Sequence, residues 1–278
     1  MFGDLTRIGS NFHANESYTS LKKTNGKIGQ IQSRLSTGKR INSAEDDTSG
    51  YALAKNLESR VRGLGQALDN VGTAKNVLNI AEGGFQAQMS LLQTMKEKAT
   101  QAADGSYSTA QRTAIQDQFA ALRTEFDDIS SDTKFNDTAL MSATAMTFHV
   151  GEGSTDTLAV TFGTSVAATV GEDNTDISAT TLATQAGATA GIALLDTAIK
   201  SLAKSIQNVG DNNARLSSKE ESLSLAISNT EATRSRIEDA DFAKEQMGMM
   251  KLQILQQTTI SSFSQANSAP QMVLSLLR

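Results

Sequence analysis

One repeat constrains this chain more than any other feature: Leu57, Leu64, Val71, Leu78, Phe85, Leu92 and Ala99 fall every seven residues. A seven-residue apolar period keeps one helix face directed at a partner. A second series at 61, 68, 75, 82, 89 and 96 reads Val, Leu, Lys, Glu, Met, Lys, a partly polar companion row. About forty residues at the helical rise make a rod of roughly 65 Å. Such a stripe cannot bury itself, so the chain must supply partner helices.

Two are encoded. Ile115, Phe119, Leu122, Phe126 and Ile129 alternate steps of four and three. Ile192, Leu195, Ile199, Leu202, Ile206 and Val209 do the same, and the phase continues through Leu216, Leu223 and Ile227 to Ile237. The simplest packing sets the first two helices antiparallel across the Asp104-Gly105-Ser106 turn, with the third running back along both. Ser43 to Asp46 and Ser108 to Gln111 have capping-box spacing and mark two helix starts. The fold class that follows is mainly α: an elongated antiparallel coiled-coil-like helical bundle with a small β-hairpin region and paired terminal helices.

The hairpin is expected where the composition turns to Thr, Ala, Gly and Ser, from residue 130 to about 190. Met146, Phe148 and Val150 share one parity, as do Leu158, Val160 and Phe162, and Gly151 to Asp156 is loop-forming. Residues 164 to 191 have weak periodicity and read as loop-rich.

The two ends carry thinner stripes. Leu5, Ile8 and Phe12 have helical spacing, as do Ile28, Ile31 and Leu35. Near the other end stand Met247, Met250, Ile254, Leu255, Ile260 and Phe263, then Val273, Leu274, Leu276 and Leu277. The residues between them are mostly Gln, Ser, Thr, Asn and Ala. Isolated helices of this kind are marginal in water. The ends are therefore expected to gain order on packing with further copies, or to pair with one another inside one molecule.

Several function classes are excluded by what is missing. The net charge is −5, without the basic stripe of a nucleic-acid binder. Cysteine is absent, so no disulfide, thiolate metal site or thiol nucleophile exists. His13 and His149 have no second ligand at metal spacing, and no phosphate-cradling glycine loop or nucleophile elbow occurs. The acidic groups at 45–47, 127–128 and 238–241 lack the ligand alternation and turn glycine of a Ca²⁺ loop. No catalytic, cofactor-binding or metal-binding residue is assigned, and no enzyme is expected. No apolar run reaches the length of a membrane span or a secretory signal. Hydrophobic residues make up 38% and aromatics 5%, which suits narrow helical seams better than one thick core.

Three longer motifs resemble those of bacterial flagellins. Arg34-Leu-Ser-Thr-Gly-Lys-Arg-Ile-Asn-Ser-Ala-Glu-Asp-Asp47 resembles the family's amino-terminal signature, and Arg234-Ser-Arg-Ile-Glu-Asp-Ala-Asp-Phe-Ala243 its carboxy-terminal one. The closing Ala-Pro-Gln-Met-Val-Leu-Ser-Leu-Leu-Arg278 is similar to the family's chain end. Phe135-Asn136 with Leu140-Met141 resembles the turn after the second helix, with Asp137 where the family carries glycine.

The resemblance implies a structural subunit that polymerises into the flagellar filament for motility and is secreted unfolded by the flagellar type III apparatus. Residues 1–42 and 243–278 would form the inner helical layer. Residues 43–141 would hold the first two rod helices, 142–191 the hairpin and variable region, and 192–242 the third rod helix. The implied filament interface is Leu5, Ile8, Phe12, Ile28, Ile31, Leu35, Ile254, Leu255, Phe263, Val273, Leu274, Leu276 and Leu277. The implied rod seam is Leu57, Leu64, Val71, Leu78, Phe85, Leu92, Ile115, Phe119, Leu122, Phe126, Ile199, Leu202, Ile206, Leu216 and Leu223. Implied partners are further copies of the chain, an export chaperone at the carboxy-terminal segment, and hook-associated and cap proteins. Thr94, Lys98 and Gln118 stand where receptor-binding flagellins carry Arg, Leu and Glu, so recognition by the Toll-like receptor is not part of the expectation. A hook–filament junction protein of the same architecture is the alternative.

Overall fold

The computed structural model describes residues 11–142 and 145–276, with side chains through Ser268. It is 73% helical. In chain order the elements are α1 (Phe12–Thr37), α2 (Thr48–Ala103), α3 (Thr109–Asp132), β1 (Lys134–Phe135), β2 (Thr138–Ala139), β3 (Ala145–His149), β4 (Thr157–Thr161), β5 (Ser165–Val166), β6 (Thr169–Val170), α4 (Gln185–Glu238) and α5 (Phe242–Leu276). The mainly α bundle with small hairpins matches the expected class. Two compact units divide it: Met1–Arg60 with Asn229–Arg278, and Val61–Ser228. The division falls inside α2 and α4 and not at the helix ends.

In the second unit α3 and α4 both run antiparallel to α2, and specific contacts set the register. Gln88 donates to the Phe126 carbonyl at 2.8 Å, and the Arg112 Nε–H donates to the Ala102 carbonyl at 2.9 Å, so α2 and α3 run antiparallel. Lys75 pairs with Glu220 at 2.8 Å, Asn213 donates to Asn79 at 3.1 Å, and Lys96 pairs with Asp196. Those three contacts run antiparallel along α2 and α4. The start of α3 carries the expected capping box, with Ser108 and Gln111 bonding each other's backbone N–H.

The seam is a row of large residues beside a row of small ones. Leu64, Val71, Leu78, Phe85 and Leu92 are buried, as are Ile115, Phe119, Phe126, Leu202, Leu216 and Leu223. Leu122, Ile199 and Ile206 are half-buried and pack against this core. The companion row of α2 is Ala67, Ala74, Ala81, Gln88, Met95 and Ala102, all buried. It is not the expected 61–96 series, whose members are only half-buried. On α4 the companion row likewise includes Ala198 and Ser205, both buried, and not Ile192, Ile199 and Ile206. Most of these buried companion residues are small and carry little hydropathy signal. A search for large apolar residues therefore finds the flank of the contact instead.

Gln88 is the polar exception in that row, and it is fully buried. Its amide donates to the carbonyls of Phe126 and Ser165, and its oxygen accepts from the Ser165 hydroxyl. One side chain thus joins α2, α3 and β5 with every polar atom satisfied, the condition for tolerating a buried amide.

The segment expected to be loop-rich is more ordered than its weak periodicity suggests. β3 and β4 pair antiparallel as expected, with Met146 opposite Val160 and Phe148 opposite Leu158. β5 and β6 form another short antiparallel pair. Ser201 holds that pair on α4: its hydroxyl donates to the Val170 carbonyl at 2.9 Å and accepts from the Asp173 N–H at 2.7 Å. Gly171, at φ 67°, lies so close that a Cβ there would stand 2.4 Å from the Ser201 backbone. α4 begins at Gln185 and not near 192. Thr184 supplies the start, its hydroxyl accepting from the Gly187 N–H at 3.1 Å. The first turns, Gln185 to Gly191, carry no large apolar residue and so leave no periodic signal.

Asn136 and Asp137 have φ of 47° and 63° and join β1 to β2. This is the type I′ hairpin turn, which favours glycine at the second position. Asp137→Gly should stabilise the second unit by about 0.5–1 kcal/mol by relieving the left-handed backbone, read as a higher denaturant midpoint. Ala74→Leu should cost about 1–3 kcal/mol by overpacking the close row, whereas Lys75→Leu on the flanking row should cost less; urea unfolding separates the two.

Candidate assembly interface

The first unit is built on a pair of antiparallel helices, α1 and α5. Asn11 donates to the Ala266 carbonyl at 2.7 Å, the Tyr18 and Phe263 rings lie 6.3 Å apart, and Gln256 donates to Asn25 at 2.7 Å. At the other end a Cβ on Gly248 would meet Ile31 at 3.2 Å. Along α1 the residues turned inward are Ala14, Ser17, Leu21, Thr24, Ile28, Ile31 and Leu35, and along α5 Met249, Leu252, Gln256, Thr259, Phe263 and Ala266. Both follow steps of three and four, the coiled-coil period. Nearly half of them are small or polar, and only Ala14, at 8% exposure, and Met249, at 9%, come close to full burial. The seam is thin.

Beyond the seam, α5 exposes a second apolar row. Met247 is 61% exposed, Met250 53% and Ile254 65%, at spacings that place them on one face. Phe242, Leu255 and Ile260 are also exposed on α5, and Phe12 on α1 is 75% exposed. A helix already packed on one side has no intramolecular use for this row. Contiguous exposed apolar surface of this kind marks a contact site.

The motifs at 34–47 and 234–243 meet between the helix ends. α1 stops at Gly38, whose φ of 72° lets its N–H return to the Arg34 carbonyl at 2.8 Å. Lys39 then bridges Asp239 in a one-residue antiparallel ladder. Arg40 donates its backbone N–H to the Glu238 carbonyl at 2.6 Å and its guanidinium to the Ile237 carbonyl at 2.6 Å, capping the end of α4. Ala240 donates back to the Gly38 carbonyl at 2.9 Å. The buried Glu238 carboxylate meets Lys39 at 2.6 Å, and Ile41, 1% exposed, directs its N–H to the Glu238 carbonyl at 3.4 Å. Arg34 lies between Glu245 at 3.5 Å and Asp46 at 3.8 Å, with its Nε–H buried and unpaired.

Ser43 does not open α2, as its spacing to Asp46 suggests: the helix begins at Thr48, although Asp46 makes the return bond of a capping box. The Asp46 carboxylate turns back and accepts from the N–H groups of Asn42 at 3.1 Å and Ser43 at 3.2 Å, and from Gln30 at 3.1 Å. Asp47 takes the cap, accepting from the Gly50 N–H at 2.9 Å. The Asn42 N–H, foremost among these donors, holds the Asp46 carboxyl below its ordinary 3.8, helped by Ser43, Gln30 and Arg34 against the opposing effect of burial.

Two family models match the chain: the bacterial flagellin N-terminal helical region over residues 8–146, and the C-terminal helical region over 192–277. The chain belongs to the bacterial flagellin family. Flagellin FlaB1 of Treponema pallidum is 33% identical over 98% of this chain and 99% of its own length. The flagellar filament 33 kDa core protein of Treponema phagedenis is 34% identical, and a flagellin of Listeria monocytogenes 30%, each over 98% of this chain and 99% of the relative. A solved structure assigned to a flagellar hook-associated protein from Vibrio parahaemolyticus shares the fold, with a TM-score of 0.59 at 13% identity over 70% of this chain and 100% of that one. As a flagellin the chain is a structural subunit of the flagellar filament, the organ of bacterial motility.

The residues singled out for the flagellin interface fall into distinct places. Ile28, Ile31, Leu35 and Phe263 face the α1–α5 seam, half-buried, whereas Phe12, Ile254 and Leu255 point outward. Leu5, Ile8 and Leu277 lie outside the described residues, as do the side chains of Val273, Leu274 and Leu276, whose backbone continues α5. Leu57 of the rod seam lies in the first unit, half-buried. Among the described residues no cluster of His, Cys, Asp or Glu could hold a metal ion, and no helix is long and apolar enough to cross a membrane.

Because the folded-state value of Asp46 is depressed, its contribution is complete above 3.8 and is lost as pH falls through the lower folded value. Amide-exchange protection at Asn42 and Ser43 should therefore fall severalfold on acidification through that window. In Asp46→Asn protection should already be low at neutral pH and lack this acid transition.

Proposed function

We propose that this flagellin polymerises through the outward faces of α1 and α5, head to tail, into an open helical filament. The observation that carries the reading is the exposed row Met247, Met250 and Ile254 on a helix whose other face is already occupied by α1. A heterologous contact of this kind does not close, so it propagates. Docking between the ends of subunits already in place covers the row, and the thin α1–α5 seam gains the packing it lacks alone. The apolar residues at 273–277 extend the same sequence pattern and belong to this interface.

We further infer export in an unfolded state through the flagellar type III apparatus, with a chaperone covering the carboxy-terminal segment beforehand and hook-associated and cap proteins bounding the filament. Two properties of the chain suit that route. No cysteine can form a covalent block to unfolding, and a single proline, Pro270, limits slow isomerisation to one bond. No group on the described surface calls for an enzymatic role.

Ile254→Glu tests the interface without touching the α1–α5 seam. Helical circular dichroism should be unchanged, while seeded growth measured by light scattering should slow roughly tenfold or more, because the charge would be buried in an apolar contact. Removal of residues 247–278 should abolish growth altogether. Normal filaments from either variant in electron micrographs reject the interface. The hook–filament junction reading predicts the opposite for the intact chain, capped stubs in place of long filaments.

A further inference from the structure

The chain has nine methionines and neither cysteine nor tryptophan, so its oxidisable side chains of consequence are thioethers. Their exposure is unequal. Met95 and Met141 are fully buried, Met249 is 9% exposed, and Met89 and Met146 are half-buried. Among the described side chains only Met247 and Met250 are exposed, at 61% and 53%. They stand three residues apart on α5, and Ile254 follows four further on. The two accessible sulfurs therefore lie in the outward apolar row, and not on the flank of either unit.

We propose that Met247 and Met250 form an oxidation site through which peroxides block addition of this subunit to the filament. The inference rests on the assembly reading above. The thioether sulfur attacks one oxygen of hydrogen peroxide. A sulfur–oxygen bond forms, the oxygen–oxygen bond breaks, and the departing hydroxide takes up the remaining proton as water. Sulfur loses two electrons and the peroxide gains them. The product, a sulfoxide, is polar and a strong hydrogen-bond acceptor. Buried among Ile254-like neighbours of the next copy it has no donor, and such an unpaired polar group opposes docking. The fold itself is spared, because neither side chain lies in the α1–α5 seam. Once docked, the row is covered and the same sulfurs are shielded. The device thus discriminates free from assembled subunits.

The test uses the purified full-length chain and hydrogen peroxide. Tandem mass spectrometry of the tryptic peptide Glu245–Lys251 should show sulfoxide at Met247 and Met250 well before Met95 and Met141 are modified. Seeded growth of the oxidised chain should slow by roughly tenfold with helical circular dichroism unchanged. Treatment with both methionine sulfoxide reductases should restore growth, and Met247→Leu/Met250→Leu, compared only with its own untreated rate, should grow equally fast with and without peroxide. The proposal is overturned if oxidised chain grows normally, if reductase repair fails to restore growth, or if the folded leucine variant is slowed as much as the parent. Failure of untreated chain to grow from seeds would instead reject the assembly reading on which the proposal stands.

Discussion

Buried rows of small residues set beside rows of large ones organise the second unit. Ala67, Ala74, Ala81 and Ala102 on α2, and Ala198 and Ser205 on α4, form the buried small rows. Leu64, Val71, Leu78, Phe85 and Leu92 close the space beside them. The arrangement shows how a chain with 38% hydrophobic residues builds a buried core. Packing density, and not the bulk of individual side chains, removes the apolar surface from water. It also explains the placement of polar atoms. Where an alanine-sized gap is replaced by Gln88, the amide is wide enough to span three elements and must satisfy every hydrogen bond it brings inside.

The first unit uses the same helical period with less material. Its seam contains Thr24, Gln256 and Thr259 at positions where the second unit has leucine and phenylalanine. A ladder and ion pairs joining residues 38–46 to 237–245 add to the seam. There the carbonyls at the end of α4 find donors in Arg40, and the charge of Glu238 finds Lys39. A lean seam leaves apolar residues free for the outward row on α5. Economy within the subunit and adhesiveness toward others are thus one property of the sequence.

Much of this was legible beforehand, for reasons that differ by element. The α2 heptad announces a partnered helix because large residues at a fixed period survive any choice of neighbour. The β3–β4 pair was visible from parity alone. The Ser108 to Gln111 box acts within four residues and needs no tertiary context. The α2 and α4 companion rows were misjudged, since Ala, Ser and Gln carry no hydropathy signal and their burial depends on how near the partner helix lies. The start of α4 was placed late for the same reason. Ser43 shows the limit of spacing arguments: Asp46 returns to the Ser43 N–H as a capping box requires, yet the helix starts later, at Thr48, with Asp47 accepting from the Gly50 N–H.

By itself the sequence determined the helical periods, the turn chemistry, and the two signature motifs that mark a flagellin. These follow from local preferences and from the residue types present. Only the tertiary structure decided which face of each helix is inward. It separated Ile28 and Ile31, which serve the seam, from Met247, Met250 and Ile254, which remain for neighbours. Helical spacing is the same on every side of a helix, so a stripe records that a contact exists without saying with what. The partner is settled when the chain folds and one of two apolar rows is left uncovered.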